Sequence, residues 1–108
     1  MVLENMLITR FINNVEVKYT YSLTNERYND VQAYGIKIER VDIKSGIVMN
    51  KVEDSVKYVS TKCHKVKNLL TLLYKNEVSP IHLIDIIGEY VDEWVSDFDK
   101  EERGLNMV

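Results

Sequence analysis

Cysteine, glycine and histidine are all scarce in this chain, and each scarcity bears on a class of function. One cysteine, Cys63, cannot close an intramolecular disulfide, so the fold is expected to stand on its core alone in a reducing, cytoplasmic setting. The two histidines, His64 and His82, are too few for a histidine-rich metal centre. The four glycines stand singly, so there is no glycine-rich loop to cradle phosphates. No apolar run approaches the roughly 18 residues of a membrane-spanning helix. The opening Met1-Val2-Leu3-Glu4-Asn5-Met6 carries an early acid and no basic run, unlike a signal peptide.

What is present is an ordinary globular composition, with 45% apolar and 29% charged residues in 108, enough for one domain with a modest core. Charge is unevenly placed within a net of −3. Residues 57–75 hold Lys57, Lys62, Lys65, Lys67 and Lys75 and no acid, whereas residues 76–108 hold nine acids against Lys100 and Arg103. Two neighbouring helices of opposite sign account for this, and so does a surface that steers a charged partner.

The first 59 residues read as strands. Met1–Ile12 is apolar-rich, and Asn13-Asn14 is a turn signal. Val15, Val17, Tyr19, Tyr21 and Leu23 alternate with polar residues, the pattern of a strand with one buried face. Thr24–Asp30 is polar and reads as a loop. In Val31–Ile43 the apolar set shifts from Tyr34, Ile36 and Ile38 to Val41 and Ile43, which calls for a bulge near Glu39-Arg40. Gly35 in mid-strand marks close approach of another backbone or helix. Lys44-Ser45-Gly46 reads as a hairpin turn, Ile47–Glu53 as the return strand, and Val56–Val59 as a short edge.

From residue 60 the period becomes helical. Ser60 is positioned to cap a helix from Thr61 to Lys75 with Val66, Leu69, Leu70 and Leu73 on one face. Asn76 is suited to close it in the left-handed conformation. Ser79 and Pro80, the sole proline, start a second helix running to Arg103, with Gly104 as the stop and Leu105 folding back. Its stripe of Ile84, Ile87, Val91, Trp94, Val95 and Phe98 is widened by Leu83, Ile86 and Tyr90 beyond the roughly 100° that one sheet covers. A helix of that length spans about 36 Å. Either its far end overhangs the sheet and leaves Trp94 and Phe98 for a partner, or it stops near Phe98 with both aromatics on the sheet.

Chemical motifs are weak by comparison. Cys63 and His64 are adjacent and so point about 100° apart on a helix, which does not favour joint chelation. His82, Asp85 and Glu89 share a face, but His82 sits in the first turn, where exposed polar residues are normal, and a face of acids is ordinarily just solvated. Cys63, near the edge of the apolar stripe, reads as a buried structural thiol. No nucleophile-elbow motif is present. No catalytic residue, metal or cofactor is expected. The cluster Lys57, Lys62, Lys65 and Lys67, with Tyr58 interleaved, is the candidate nucleic-acid patch, but it contains no arginine and the chain is acidic overall.

The strand Tyr34-Gly35-Ile36-Lys37-Ile38-Glu39 and the block Asn76–Leu83, with its Val78-Ser79-Pro80-Ile81-His82-Leu83, resemble a family of small uncharacterised bacterial proteins classed as a domain of unknown function. The resemblance covers residues 31–95. It implies a cytoplasmic bacterial protein and brings no catalytic residue with it.

The sequence thus predicts a single α+β domain over residues 1–108, strand-rich in 1–59 and helical in 60–104. A small antiparallel sheet of three to five strands is covered on one face by two C-terminal helices. The expected function is non-enzymatic protein–protein interaction or regulation, with another protein or as a homodimer through the last helix. Tyr90, Trp94, Val95 and Phe98 are its candidate interface residues, nucleic-acid association through the lysine patch is the alternative, and no membrane partner is expected.

Overall fold

Three pairs of residues with positive φ set the sheet: Asn13-Asn14, Asn29-Asp30 and Ser45-Gly46. Two consecutive left-handed residues make the hairpin turn whose twist matches that of paired strands, and Asn, Asp and Gly tolerate it best. The structure, a computed structural model, describes residues 1–106 and the side chains of residues 1–98. The three turns join β1 (Val2–Ile12), β2 (Val15–Tyr28), β3 (Val31–Lys44) and β4 (Ile47–Ser60) into an antiparallel meander in the order β1-β2-β3-β4. Two helices follow, α1 (Cys63–Lys75) and α2 (Leu83–Asn106), with a short 3₁₀ turn at Pro80–His82 between them. The architecture is α+β, as expected.

Several boundaries differ from the sequence reading. Thr24–Asp30 is not a loop, because β2 continues to Tyr28 and pairs residue by residue with β3. No bulge interrupts the β2–β3 ladder at Glu39-Arg40; Val41 and Ile43 simply belong to the other pleat and stay half-exposed. The irregularities lie instead on the β4 side, between Tyr34 and Ile36 and between Asp42 and Ile43. The first explains Gly35. A side chain there would collide with the Val56 and Lys57 carbonyl oxygens, so the bare backbone admits the β4 bulge. Val56–Val59 is the end of the long β4 rather than a separate edge.

The helix ends also differ. Ser60 is the last residue of β4, and its Oγ accepts the Lys62 N–H at 3.0 Å, while Lys62 stands at the α1 N-cap without a side-chain cap. At the C-terminus the left-handed residue is Glu77, φ 49°, rather than Asn76. Val78 N–H donates to the Leu73 carbonyl and Glu77 N–H to that of Tyr74, both at 3.1 Å, a Schellman closure with Val78 folded onto the core. Ser79 makes no side-chain cap, though Pro80 does occupy the first position of the turn. α2 passes through Gly104 to Asn106, so Gly104 is not its stop; the side chain of Leu105 lies outside the described residues.

The core forms where the helices meet one face of the sheet. Tyr21 and Leu23 of β2 stand opposite Ile38 and Ile36 of β3, and all four are buried under Val66, Leu69, Leu70 and Leu73 of α1 and Leu83 and Ile87 of α2. Burying each such side chain contributes about 1.5–3 kcal/mol. Tyr21 also donates its hydroxyl to the Val78 carbonyl at 2.9 Å and meets Tyr74 edge-to-face at 5.8 Å. Burial pushes the Tyr21 phenol well above its ordinary range, with Tyr19 and Glu77 adding to the effect.

α1 runs from the end of β4 toward Arg10, and α2 returns toward the β2–β3 turn, where Phe98 packs edge-to-face on Tyr28. The opposite end of the sheet, carrying the first and third turns, extends past both helices. The molecule is accordingly elongated, 60 × 23 × 17 Å, with a radius of gyration of 16.0 Å. A compact chain of this length has about 13 Å.

Candidate interaction surface

The free end of the sheet is built from the strand residues beside the Asn13-Asn14 and Ser45-Gly46 turns. The register places Phe11, Glu16, Ile43 and Val48 in one row across the four strands, all on the face that the helices leave open. Ile12 pairs with Val15 and Ile47 with Lys44 in the last rungs. Phe11 is 76% exposed, and Ile12, Ile47, Val48 and Met49 are each more than half exposed; Leu7, farther along β1, is 65% exposed. Large apolar side chains gathered in this way mark surfaces that another molecule covers.

Leu7 apart, which shares a rung with Thr20, Glu39 and Glu53, the middle of the open face is wet. Glu39 and Glu53 stand directly opposite each other, an unfavourable pairing that two lysines offset. Lys37 reaches Glu53 at 3.3 Å and Lys51 reaches Glu39 at 3.5 Å. The Lys37 ammonium, hydrogen-bonded to Glu53, holds that carboxyl below its ordinary range. A charged lattice of this kind keeps the middle of the face solvated while its end stays apolar.

On the helix side of the same end, Arg40 donates to both Asp42 oxygens, at 2.9 and 3.4 Å, and to the Tyr19 hydroxyl at 3.2 Å. The Asp42 hydrogen bond raises the guanidinium further above its ordinary value. Tyr19 borders, with Arg10, Phe11, Ile12 and Glu77, an open recess of about 380 Å³. Arg10 and Glu77 form an exposed ion pair at 2.6 Å.

The residues named from sequence as interface candidates are divided by the structure. Phe98 is buried at 8% exposure under Tyr28. Tyr90 and Trp94 are half-buried against the core with ring centroids 5.5 Å apart, and they border a shallow apolar groove of about 270 Å³ with Leu69 and Leu72 of α1. Val95 alone of the four is more than half exposed. Of the two readings of the last helix, the packed one holds for Phe98 and Trp94, while α2 itself runs on to Asn106 rather than stopping near Phe98. Uncovered apolar length is found in the sheet, at the opposite end.

The sequence reading missed Asp97. It was only one of the nine acids after residue 75, yet it is 4% exposed. Ser60 donates its hydroxyl to Asp97 Oδ2 at 2.7 Å, and Lys65 Nζ reaches both oxygens at 3.1 and 2.9 Å. This polar cluster ties the end of β4 to α1 and α2, and Lys65 also lies 5.6 Å over the Trp94 ring. The available signal was position: Asp97 sits three residues after Trp94 and seven after Tyr90, on the packed stripe.

The lysines of the candidate nucleic-acid patch have acidic neighbours. Lys57 faces Glu26 at 3.9 Å, Lys67 faces Glu4 at 3.3 Å, and Lys65 is held by Asp97. Lys62 stands at the α1 N-cap. Cys63 is a half-buried free thiol flanking the core, and His64 borders the groove with Trp94. Among the described residues, no three His, Cys, Asp or Glu side chains converge as metal ligands, and no helix is long and apolar enough to cross a membrane.

Comparison with known proteins places the chain in a family. Residues 2–93 match the family of unknown function DUF6514, and the chain belongs to it. The match reaches from the first strand well into α2, farther toward the N-terminus than the resembling stretches at 31–95. Neither the curated proteins nor the solved structures contain a match.

Proposed function

We propose that this member of the DUF6514 family is a non-enzymatic protein–protein interaction module of the bacterial cytoplasm, and that it binds through the free end and open edge of its sheet. The observation that carries this reading is the exposure of Phe11, Ile12, Ile47, Val48 and Met49 at the free end of the sheet, with Leu7 exposed farther along the β1 edge. A sheet edge offers a second element with unpaired backbone groups, and apolar side chains beside it supply specificity. The helix groove is the weaker candidate, since Lys65 already lies over Trp94 and binds Asp97 across it. The carboxylates beside Lys57, Lys65 and Lys67 favour a protein partner over nucleic acid.

Affinity capture with the intact protein, in parallel with a Phe11→Ser/Val48→Ser variant and with nuclease treatment, tests the reading. A protein retained by the native chain, insensitive to nuclease and lost from the variant, is the expected result. Material that disappears with nuclease would overturn the reading in favour of the lysine patch. Retention by the variant would move the surface back to α2.

A further inference from the structure

We infer that the occupant of the open β1 edge is the β1 edge of a second copy of this chain, paired antiparallel about a two-fold axis at Leu7. This rests on the interaction reading above and names the partner of its β1 edge; Ile47, Val48 and Met49, on β4 at the other side of the sheet, lie outside the pairing. Counting outward from the Asn13-Asn14 turn, Ile12, Arg10, Ile8, Met6 and Glu4 direct their backbone groups at β2, with an unbroken register from Glu4 to Ile12. Asn5, Leu7, Thr9 and Phe11 therefore direct theirs at the open edge. Two such strands can pair only in registers that match outward-facing residues with each other, which restricts the axis to single residues along β1.

Of those registers, the one centred on Leu7 is complementary at every rung. It sets Leu7 against Leu7, Asn5 against Thr9 and Met6 against Ile8. It also sets Glu4 against Arg10 of the second copy, and, just beyond the regular ladder, Leu3 against Phe11. Moving the axis to Met6 puts Glu4 against Ile8, and moving it to Ile8 puts Glu4 against Ile12 and Arg10 against Met6. Opposite charges directly across an antiparallel pair stabilise it, and a charge set against an apolar side chain does not. Glu4 is partly exposed and Arg10 exposed, and their ion pairs, with Lys67 at 3.3 Å and Glu77 at 2.6 Å, lie at the surface. Arg10 also donates to the Thr9 carbonyl at 3.3 Å, a contact it would give up to the second copy's strand. The pairing would set Lys67, Glu4, Arg10 of the second copy and its Glu77 in an alternating series.

The other edge is built differently. β4 carries Lys51, Glu53, Asp54 and Lys57 and is irregular near both ends of its ladder, devices that keep an edge from pairing. Between Glu4 and Ile12, β1 has only the two charges that the Leu7 register matches.

Sedimentation equilibrium on the native chain and on Glu4→Arg, Arg10→Glu and the double exchange tests this, with circular dichroism to show that each variant is folded. The native chain is expected to dimerise. Each single exchange places like charges across the edge and is expected to weaken the dimer by about tenfold or more. The double exchange restores opposite charges and should recover most of that loss. A dimer indifferent to all three variants would overturn the inference. A monomeric native chain that still captures a protein lost on Phe11→Ser would overturn the inference and leave the interaction reading standing. A monomer that captures nothing would overturn both.

Discussion

The two ends of this sheet are both rich in apolar side chains but meet different fates. At one end Tyr21, Leu23, Ile36 and Ile38 lie under two helices and are essentially inaccessible. At the other, Phe11, Ile12, Ile47, Val48 and Met49 continue the strands with nothing above them. The difference has two causes. Phe11 and Val48 stand on the pleat opposite Tyr21 and Ile38 and are bare whatever the helices do, whereas Ile12 and Ile47 share the helix-side pleat and are bare because both helices stop short of them. α1 ends at Lys75, near Arg10, and α2 starts back from there, so the last rungs lie beyond both.

Substitution at matched sites separates the ends most widely. Leu70→Ala removes a fully buried side chain and is expected to lower stability by about 2–5 kcal/mol. Phe11→Ser should change monomer stability by no more than about 0.5 kcal/mol, since it touches only surface. Urea titration of both variants checks this, and a large loss at Phe11 would mean that the free end is part of the core. The next effect belongs to Asp97. Replacing it with Ala leaves Ser60 and Lys65 without their acceptor and should cost about 2–3 kcal/mol, less than a fully buried pair because Lys65 is partly exposed.

Smaller is Tyr21→Phe, which forfeits one hydrogen bond to the Val78 carbonyl, about 1 kcal/mol. The phenol has a further consequence in alkali. Its folded pKa is raised, so it favours the neutral form, and that contribution is complete below the unfolded value of about 10. It is lost progressively as pH rises above that point. The native protein should therefore unfold in alkali more readily relative to neutral pH than Tyr21→Phe does, which a pH series of thermal melts would show. Smallest is Glu77→Gly, which relieves a left-handed glutamate at the end of α1. It should raise stability by about 0.5–1 kcal/mol, less whatever the exposed Arg10 pair contributes.

Much of the covered end is legible in the sequence. The alternation from Val15 to Leu23 identifies the buried face of β2, the stripe Val66, Leu69, Leu70 and Leu73 identifies that of α1, and Gly35 announces a close backbone. What escapes reading has physical causes. The last residues of β2 are polar because they lie at an exposed hairpin end, so the Asn29-Asp30 turn is hidden inside an apparent loop. Glu77 holds a conformation that its residue type disfavours, imposed by the Schellman closure and by Val78 reaching the core. Asp97 is buried with partners 32 and 37 residues away, pairings that no local pattern encodes. The free end was unreadable for a related reason: β1 and the start of β4 carry apolar residues on both pleats, so no alternation marks which side is exposed.

Residue-resolved amide hydrogen exchange along β1 tests the central claim most directly. Met6, Ile8 and Arg10 are paired with β2 in any case and serve as internal controls, whereas Asn5, Leu7 and Thr9 face the open edge. If that edge is the binding surface and a second copy fills it, the amides of Asn5, Leu7 and Thr9 will be protected at concentrations where the dimer forms, as strongly as their neighbours. Fast exchange at those three positions beside protected controls, in a sample at high concentration, would contradict the account.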